Sequence, residues 1–186
     1  GFQLSIMNYA GACTSTANTR NLFFGIDAGR EPKWTDCGRP GNNLLPYALA
    51  VYQGDFYAGT FEAGAAEAGR VYRYGGGTNW VDCGNPDICN SVTAFAVFEG
   101  KLFAATARYN ASGSHLAAAK NLNNGGKVFR YEGGKRWSDC GRVSDAENIF
   151  GLVVFGGQLY ATSMDAPPNQ LKRPHQGLYR YDGGQQ

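Results

Sequence analysis

The sequence has two histidines, His115 and His175, and each falls in a long polar stretch that also carries cationic, acidic or phenolic side chains. Near the first are Arg108 and Tyr109, near the second are Asp165, Lys172 and Arg173, and a third stretch contributes Asp145 and Glu147. Two kinds of chemistry use such sets. A polysaccharide lyase needs a His or Tyr base beside an Arg or Lys that neutralises a uronate, and Tyr109, His115, Arg173 and His175 are of those types. A glycosidase needs two carboxyl groups roughly 5 to 9.5 Å apart across the scissile bond, and Asp145, Glu147 and Asp165 are the acids on offer. The same side chains also suit recognition without reaction. No Ser-His-Asp order, phosphate loop, dinucleotide fingerprint or calcium loop occurs. No Cys/His spacing matches a zinc site, so neither a metal nor a cofactor is expected.

Side chains so far apart in sequence need a scaffold to bring them together, and the chain has a repeated one. The phrase Lys127 to Gly141, KVFRYEGGKRWSDCG, recurs from Arg70 as RVYRYGGGTNWVDCG and again from Leu178 as LYRYDGGQQ. Val128, Phe129, Arg130 and Tyr131 form a β-branched and aromatic run, Gly133-Gly134 gives the backbone freedom for a tight reversal, and Trp137 opens the returning segment. This predicts a β-hairpin. Each copy has a second hairpin upstream, Ala48 to Thr60, Ala94 to Thr106 and Gly151 to Ser163, reversing at Gln53-Gly54, Glu99-Gly100 and Gly156-Gly157. Two hairpins in series make four antiparallel strands, the unit of a β-propeller blade.

The reading is therefore one all-β propeller domain with repeats at about 1–38, 44–84, 92–141 and 149–186. The second and third repeats carry four strands. The first is degenerate, with KWTDCG as its fourth strand, and the last reaches only its third. A strand-deficient repeat leaves an edge that folded proteins cover. Propellers have roughly 4 to 8 blades; the alternatives are a four-repeat ring whose terminal strands complete one another and part of a larger ring, and the expectation is the larger ring, with another chain as a candidate to complete it.

Residues repeated in every blade are related by rotation and cannot converge on one bond, which assigns them to the scaffold. Trp34, Trp80 and Trp137 are expected between neighbouring repeats, and Arg73, Arg130 and Arg180 along a strand face near acidic partners. Asp36, Asp82 and Asp139 are placed to cap loop amides. Cys37, Cys83 and Cys140 are too far apart to bridge one another, whereas Cys83 and Cys89 are near enough in sequence to pair, leaving Cys13 alone. Loop lengths separate the two ends of the strands. The turns between first and second and between third and fourth strands are short, whereas the irregular segments 61–69, 107–126 and 164–177, with 40–46, 85–90 and 142–148, all belong to the opposite face. That face holds every candidate named above, as expected of a surface that carries recognition.

The order of apolar strand, x-Gly turn, [KDQ]-[LF]-[FY]-A and [VL]-[YF]-R-Y-x-G-G-x-x-W resembles the kelch family of propeller repeats, and the Gly-Gly hairpin is similar to the Asp-box turns of sialidase-like propellers. The resemblance implies a propeller and carries over no catalytic residue. The kelch double glycine after the second strand is replaced by Ala-Gly-Thr, Ala-Ala-Thr or Ala-Thr-Ser, and the Asp-box Ser-x-Asp start is absent. A formal charge of +2 without a Lys/Arg block argues against a nucleic-acid surface, and the absence of an apolar run of ~20 residues argues against a membrane span. The expected function is a binding module, extracellular or periplasmic, that recognises a glycan or protein partner. The alternatives are a carbohydrate-active enzyme using the same face and a structural component of an assembly.

Overall fold

A computed structural model describes residues 34–108, 114–164 and 176–184. The chain divides into two compact units, Gly1–Asp36 and Cys37–Gln186, and the second contains all the described strands. Its first sheet runs in chain order through β1 (Pro46–Tyr52), β2 (Asp55–Thr60), β3 (Val71–Gly76) and β4 (Asn79–Asp82). The same up-and-down order recurs in β5 (Ser91–Phe98), β6 (Lys101–Ala107), β7 (Lys127–Gly133) and β8 (Arg136–Arg142), and then in β9 (Asn148–Phe155), β10 (Gln158–Met164) and β11 (Gly177–Arg180). All pairings are antiparallel, and a bridge between Ala107 and Asn148 joins the last two groups into one sheet. The expected all-β class holds. Among the described residues no helix is long and apolar enough to cross a membrane.

Local sequence explains the hairpins. The first turn of each repeat has two residues in the left-handed region, Gln53 and Gly54 (φ 52° and 81°), Glu99 and Gly100 (49° and 68°), and Gly156 and Gly157 (57° and 73°). Positive φ at both positions is the type I′ geometry whose twist matches that of the flanking strands. The third strand is pinned to its own turn by a phenol. Tyr74 donates to the Gly77 carbonyl at 2.8 Å, Tyr131 to Gly134 at 3.0 Å and Tyr181 to Gly184 at 3.2 Å.

Each sheet is apolar on both sides, so it requires neighbours. Tyr52, Tyr57, Val71 and Cys83 of the second repeat pack with Val92, Leu102, Ala104, Tyr131 and Trp137 of the third. A matching core forms one repeat further on, from Phe98, Phe103, Val128 and Cys140 to Ile149, Leu159, Ala161 and Tyr181. The first strands β1, β5 and β9 run beside one another.

The Asp-Cys-Gly phrase is the joint between repeats, and each of its residues has a separate task. The aspartate folds the corner, with Asp82 Oδ1 accepting from the Gly84 amide at 2.9 Å and Asp139 Oδ1 from Gly141 at 2.8 Å. The cysteine carbonyl receives an indole from the next repeat: Trp80 Nε1 donates to Cys37 and Trp137 Nε1 to Cys83, both at 2.9 Å. The glycine makes room, because a Cβ on Gly84 would stand 2.7 Å from the Lys135 carbonyl and one on Gly38 2.6 Å from that of Thr78, both in the next repeat's turn. Both glycines also have positive φ, 90° and 74°. Trp34 differs from its counterparts, being 94% exposed in the first unit.

Charged neighbours follow the same plan. Arg70 pairs with Asp82 at 2.8 Å, and Lys127 with Asp139 at 2.6 Å. The repeated arginines meet acids: Arg73 with Asp55 at 3.3 Å, Arg130 with Glu132 at 2.7 Å and Arg180 with Asp182 at 2.7 Å. Cys83, Cys89 and Cys140 are free thiols, which corrects the suggested Cys83–Cys89 pair. The reason is that the two face different surroundings. Cys83 lies in the core between repeats, and Cys89 is buried under its loop with its thiol directed to the Ser91 carbonyl. Burial pushes both thiols up from their ordinary range.

Two outcomes follow. Trp137→Phe keeps an aromatic ring but strands the Cys83 carbonyl, and urea denaturation should show a loss of about 1 to 2 kcal/mol. Partial burial alone would raise the Asp82 pKa, but hydrogen bonds from Arg70, Lys135 and the Gly84 amide outweigh it and hold the carboxyl well below the usual range. Its contribution is therefore complete above the unfolded-state value of about 4 and is lost as pH falls below that. Asp82→Asn should start from a lower urea midpoint at pH 7 and lose less than the parent between pH 5 and pH 2.5.

Candidate binding face

The long loops leave the strand ends opposite the type I′ turns, and among the described residues two of them begin with a hydroxyl clasp. Thr60 Oγ1 accepts from the Arg70 amide at 3.0 Å and donates to its carbonyl at 3.1 Å. Thr106 repeats the contact with Lys127, at 3.4 and 3.3 Å. Two loops of different lengths thus start from the same closed stem.

Glu62 ties neighbouring loops together. It is fully buried. Its Oε2 accepts from Asn90 Nδ2 at 2.6 Å and Ser114 Oγ at 2.7 Å, and its Oε1 accepts from the His115 amide and from the Leu116 amide at 3.0 Å. Burying a carboxyl group is costly unless such donors surround it. One side chain of the second repeat therefore fixes both the segment before β5 and the long loop between β6 and β7. Further bonds complete the platform. The Ala117 amide donates to the Ala65 carbonyl at 3.2 Å, Asn123 N to Ile88 O at 2.9 Å, and Asn121 Nδ2 to Asn90 Oδ1 at 3.1 Å. Asp87 accepts from Thr106 Oγ1 at 3.3 Å and from the Asn123 amide group.

Among the residues singled out from sequence, Arg108 is half-buried. Its Nη1 donates to Asn124 Oδ1 at 3.0 Å, and its backbone amide donates to the Glu147 carbonyl at 3.0 Å. The structure thus brings the Arg108 and Glu147 backbones together across the junction of the third and fourth repeats. Asp145 is exposed; its carbonyl accepts from Arg142 at 2.7 Å and its carboxylate lies 3.8 Å from the same guanidinium. His115 has an exposed side chain on a backbone held by Glu62, and it belongs to the junction of the second and third repeats instead. Tyr109, Asp165, Lys172, Arg173 and His175 lie outside the described residues.

Sequence reasoning passed over Glu62, Asn90, Ser114 and Asp87, which hold the face in shape. A faint signal existed: Glu62 lies two residues beyond Thr60, the end of the second-strand phrase, and precedes Ala-Gly. Asn148 is another unmarked residue, fully buried at the start of β9 with both side-chain amide atoms unpartnered. Among the described residues no three His, Cys, Asp or Glu side chains cluster as a metal would require. Glu62 and Asp87 are occupied by protein donors and face inward, so they act as struts. Among the described residues of this face, His115 and Asp145 are exposed. No protein-family model and no curated protein matches this chain.

Glu62→Gln tests the platform. An amide at that position turns two donors toward Asn90 or toward the backbone, so the cost should be about 1 to 3 kcal/mol. Hydrogen exchange at His115 and Leu116 should accelerate at least tenfold while β6 and β7 stay protected. Unchanged exchange at those two amides would show that the loop holds its shape without Glu62.

Proposed function

We propose that the chain is a β-propeller recognition module that binds a glycan or protein partner on its long-loop face. The propeller reading is supported by consecutive four-stranded meanders, by first strands that run side by side and by joints that repeat the same contacts. The binding reading rests on one observation. Loops that differ in length and sequence are locked to one another across repeats by Glu62, whereas the opposite strand ends are closed by two-residue turns. A rigid platform with varied side chains lowers the cost of ordering on binding. Catalysis has less behind it, because three acids of this face, Glu62, Asp87 and Asp145, are engaged by protein donors or by Arg142.

The working residues in this proposal are Arg108, Tyr109, His115, Asp145, Glu147, Asp165, Lys172, Arg173 and His175. A glycan array and a pull-down with the parent chain identify the ligand. Replacing Tyr109, His115, Arg173 and His175 together by Ala should then weaken binding at least tenfold and leave the melting temperature within about 2 °C, since polar loop residues in general contribute little to a core. If that variant binds like the parent while Arg73→Ala abolishes binding in a folded protein, the repeated strand faces carry recognition and the proposal fails.

A further inference from the structure

The sequence contains one Asn-Gly step, Asn124-Gly125, and it lies just before β7. Asparagine is a thermolabile residue, because the backbone nitrogen that follows it can attack its side-chain carbonyl carbon. A glycine in second place has no Cβ to obstruct that approach. In a folded chain the reaction needs access for water, a free attacking nitrogen and a polarised carbonyl, and the structure supplies each. Asn124 is exposed. The Gly125 amide donates to no acceptor among the described residues, whereas the next amide, that of Gly126, donates to the Thr106 carbonyl at 3.2 Å. Arg108 Nη1 donates to Asn124 Oδ1 at 3.0 Å. A guanidinium on that oxygen draws electrons from the carbonyl carbon and stabilises the oxyanion that forms when the nitrogen attacks.

The segment is also held at both ends. Asn123 N donates to the Ile88 carbonyl at 2.9 Å, and the Gly126 carbonyl accepts from Val143 N at 2.8 Å. Between these anchors Gly125 and Gly126 both lie in the left-handed region, with φ 64° and 66°. Gly125 is pressed against a contact that joins the third and fourth repeats. A Cβ on it would stand 2.5 Å from the Arg108 amide nitrogen and 2.6 Å from the Glu147 carbonyl oxygen, which are hydrogen-bonded to each other at 3.0 Å. Such a stretch has no slack for a longer backbone.

We propose that Asn124-Gly125 is a self-modifying site, at which the folded chain deamidates Asn124 with the assistance of Arg108 and so loosens the junction of the third and fourth repeats. The steps balance with water as the sole co-reactant. The Gly125 nitrogen gives up its proton and bonds to Asn124 Cγ, the Cγ–Nδ2 bond breaks, and ammonia leaves, closing a five-membered imide. Water then opens the ring at one of its two carbonyls. Cleavage between Cγ and the Gly125 nitrogen restores the ordinary backbone with an aspartate, which still accepts from Arg108. Cleavage between the main-chain carbonyl carbon and the Gly125 nitrogen leaves an isoaspartate, whose backbone runs through Cβ and Cγ and is one atom longer. One extra atom between fixed anchors displaces Gly125 from Arg108 and Glu147. The inference involves no ligand, so it stands or falls separately from the proposed binding function.

The full chain is incubated at mildly alkaline pH, folded and in guanidinium chloride, and each asparagine is followed by peptide mapping with mass spectrometry. In the folded chain Asn124 should convert at least tenfold faster than Asn42 and Asn79, which are also exposed but precede Asn43 and Trp80. Arg108→Met keeps an apolar stem and loses the donors. It should slow conversion of Asn124 at least threefold in the folded chain and leave the rate in guanidinium chloride unchanged. An Asn124 that converts only when the chain is unfolded, or as fast without Arg108 as with it, overturns the proposal. The consequence for the junction is read by hydrogen exchange. In the isoaspartyl form, isolated by chromatography, the Arg108 amide should exchange at least tenfold faster than in the parent, whereas in Asn124→Asp it should exchange at the parent rate. An isoaspartyl form that protects the Arg108 amide as well as the parent does overturns the claim that the product loosens the junction.

Discussion

The hydrogen bond from an indole N–H to the carbonyl of the preceding repeat's cysteine is the contact on which the rest of the molecule depends. It is possible only because three adjacent residues cooperate. Asp82 folds the corner that presents the Cys83 carbonyl, and Gly84 lets the following turn approach to a distance that no side chain would allow. Remove the glycine and the indole cannot reach; remove the aspartate and the carbonyl points elsewhere. The aromatic core forms behind this joint, with Tyr131 against Tyr52, Tyr57 and Trp137. Individual hairpins are marginal in water, and only stacking buries both of their faces.

The joint and the loop face solve different problems. The joint works by identity, with Trp80 on Cys37 and Trp137 on Cys83 making the same contact. The face works by difference, since the segments that emerge on it vary in length and content. Variation of that kind normally leaves loops mobile. Here Glu62 counters it by gathering donors from two other segments around a single buried carboxyl group. A buried carboxyl group with its donors satisfied in this way holds the backbone around it in place.

What was legible in the sequence follows the same division. Tyr131, Trp137, Asp139 and Gly141 belong to a phrase that recurs, and recurrence announced the strands, the turns and the joint. The arginines near acids and the aspartates at corners were readable for the same reason. Glu62 occurs once, in a stretch that reads as ordinary polar loop, and only three-dimensional proximity reveals that Asn90 and Ser114 converge on it. Cys89 misled through nearness in sequence: six residues from Cys83, it is turned to the Ser91 carbonyl beneath its loop, not toward Cys83. His115 and Arg108 were correctly placed among the long loops, but they belong to different junctions, which no spacing rule could separate.

The joint also has a direction. The second and third repeats donate backward through Trp80 and Trp137 to the carbonyls of Cys37 and Cys83, so both of these junctions are made from the same two halves, and neither half records its position in the series. A whole unit gained or lost by duplication or deletion within the gene would leave every remaining junction chemically intact. A change in one half of a single junction would have no such shelter. Evolution can therefore alter the number of units far more freely than it can alter the residues that join them.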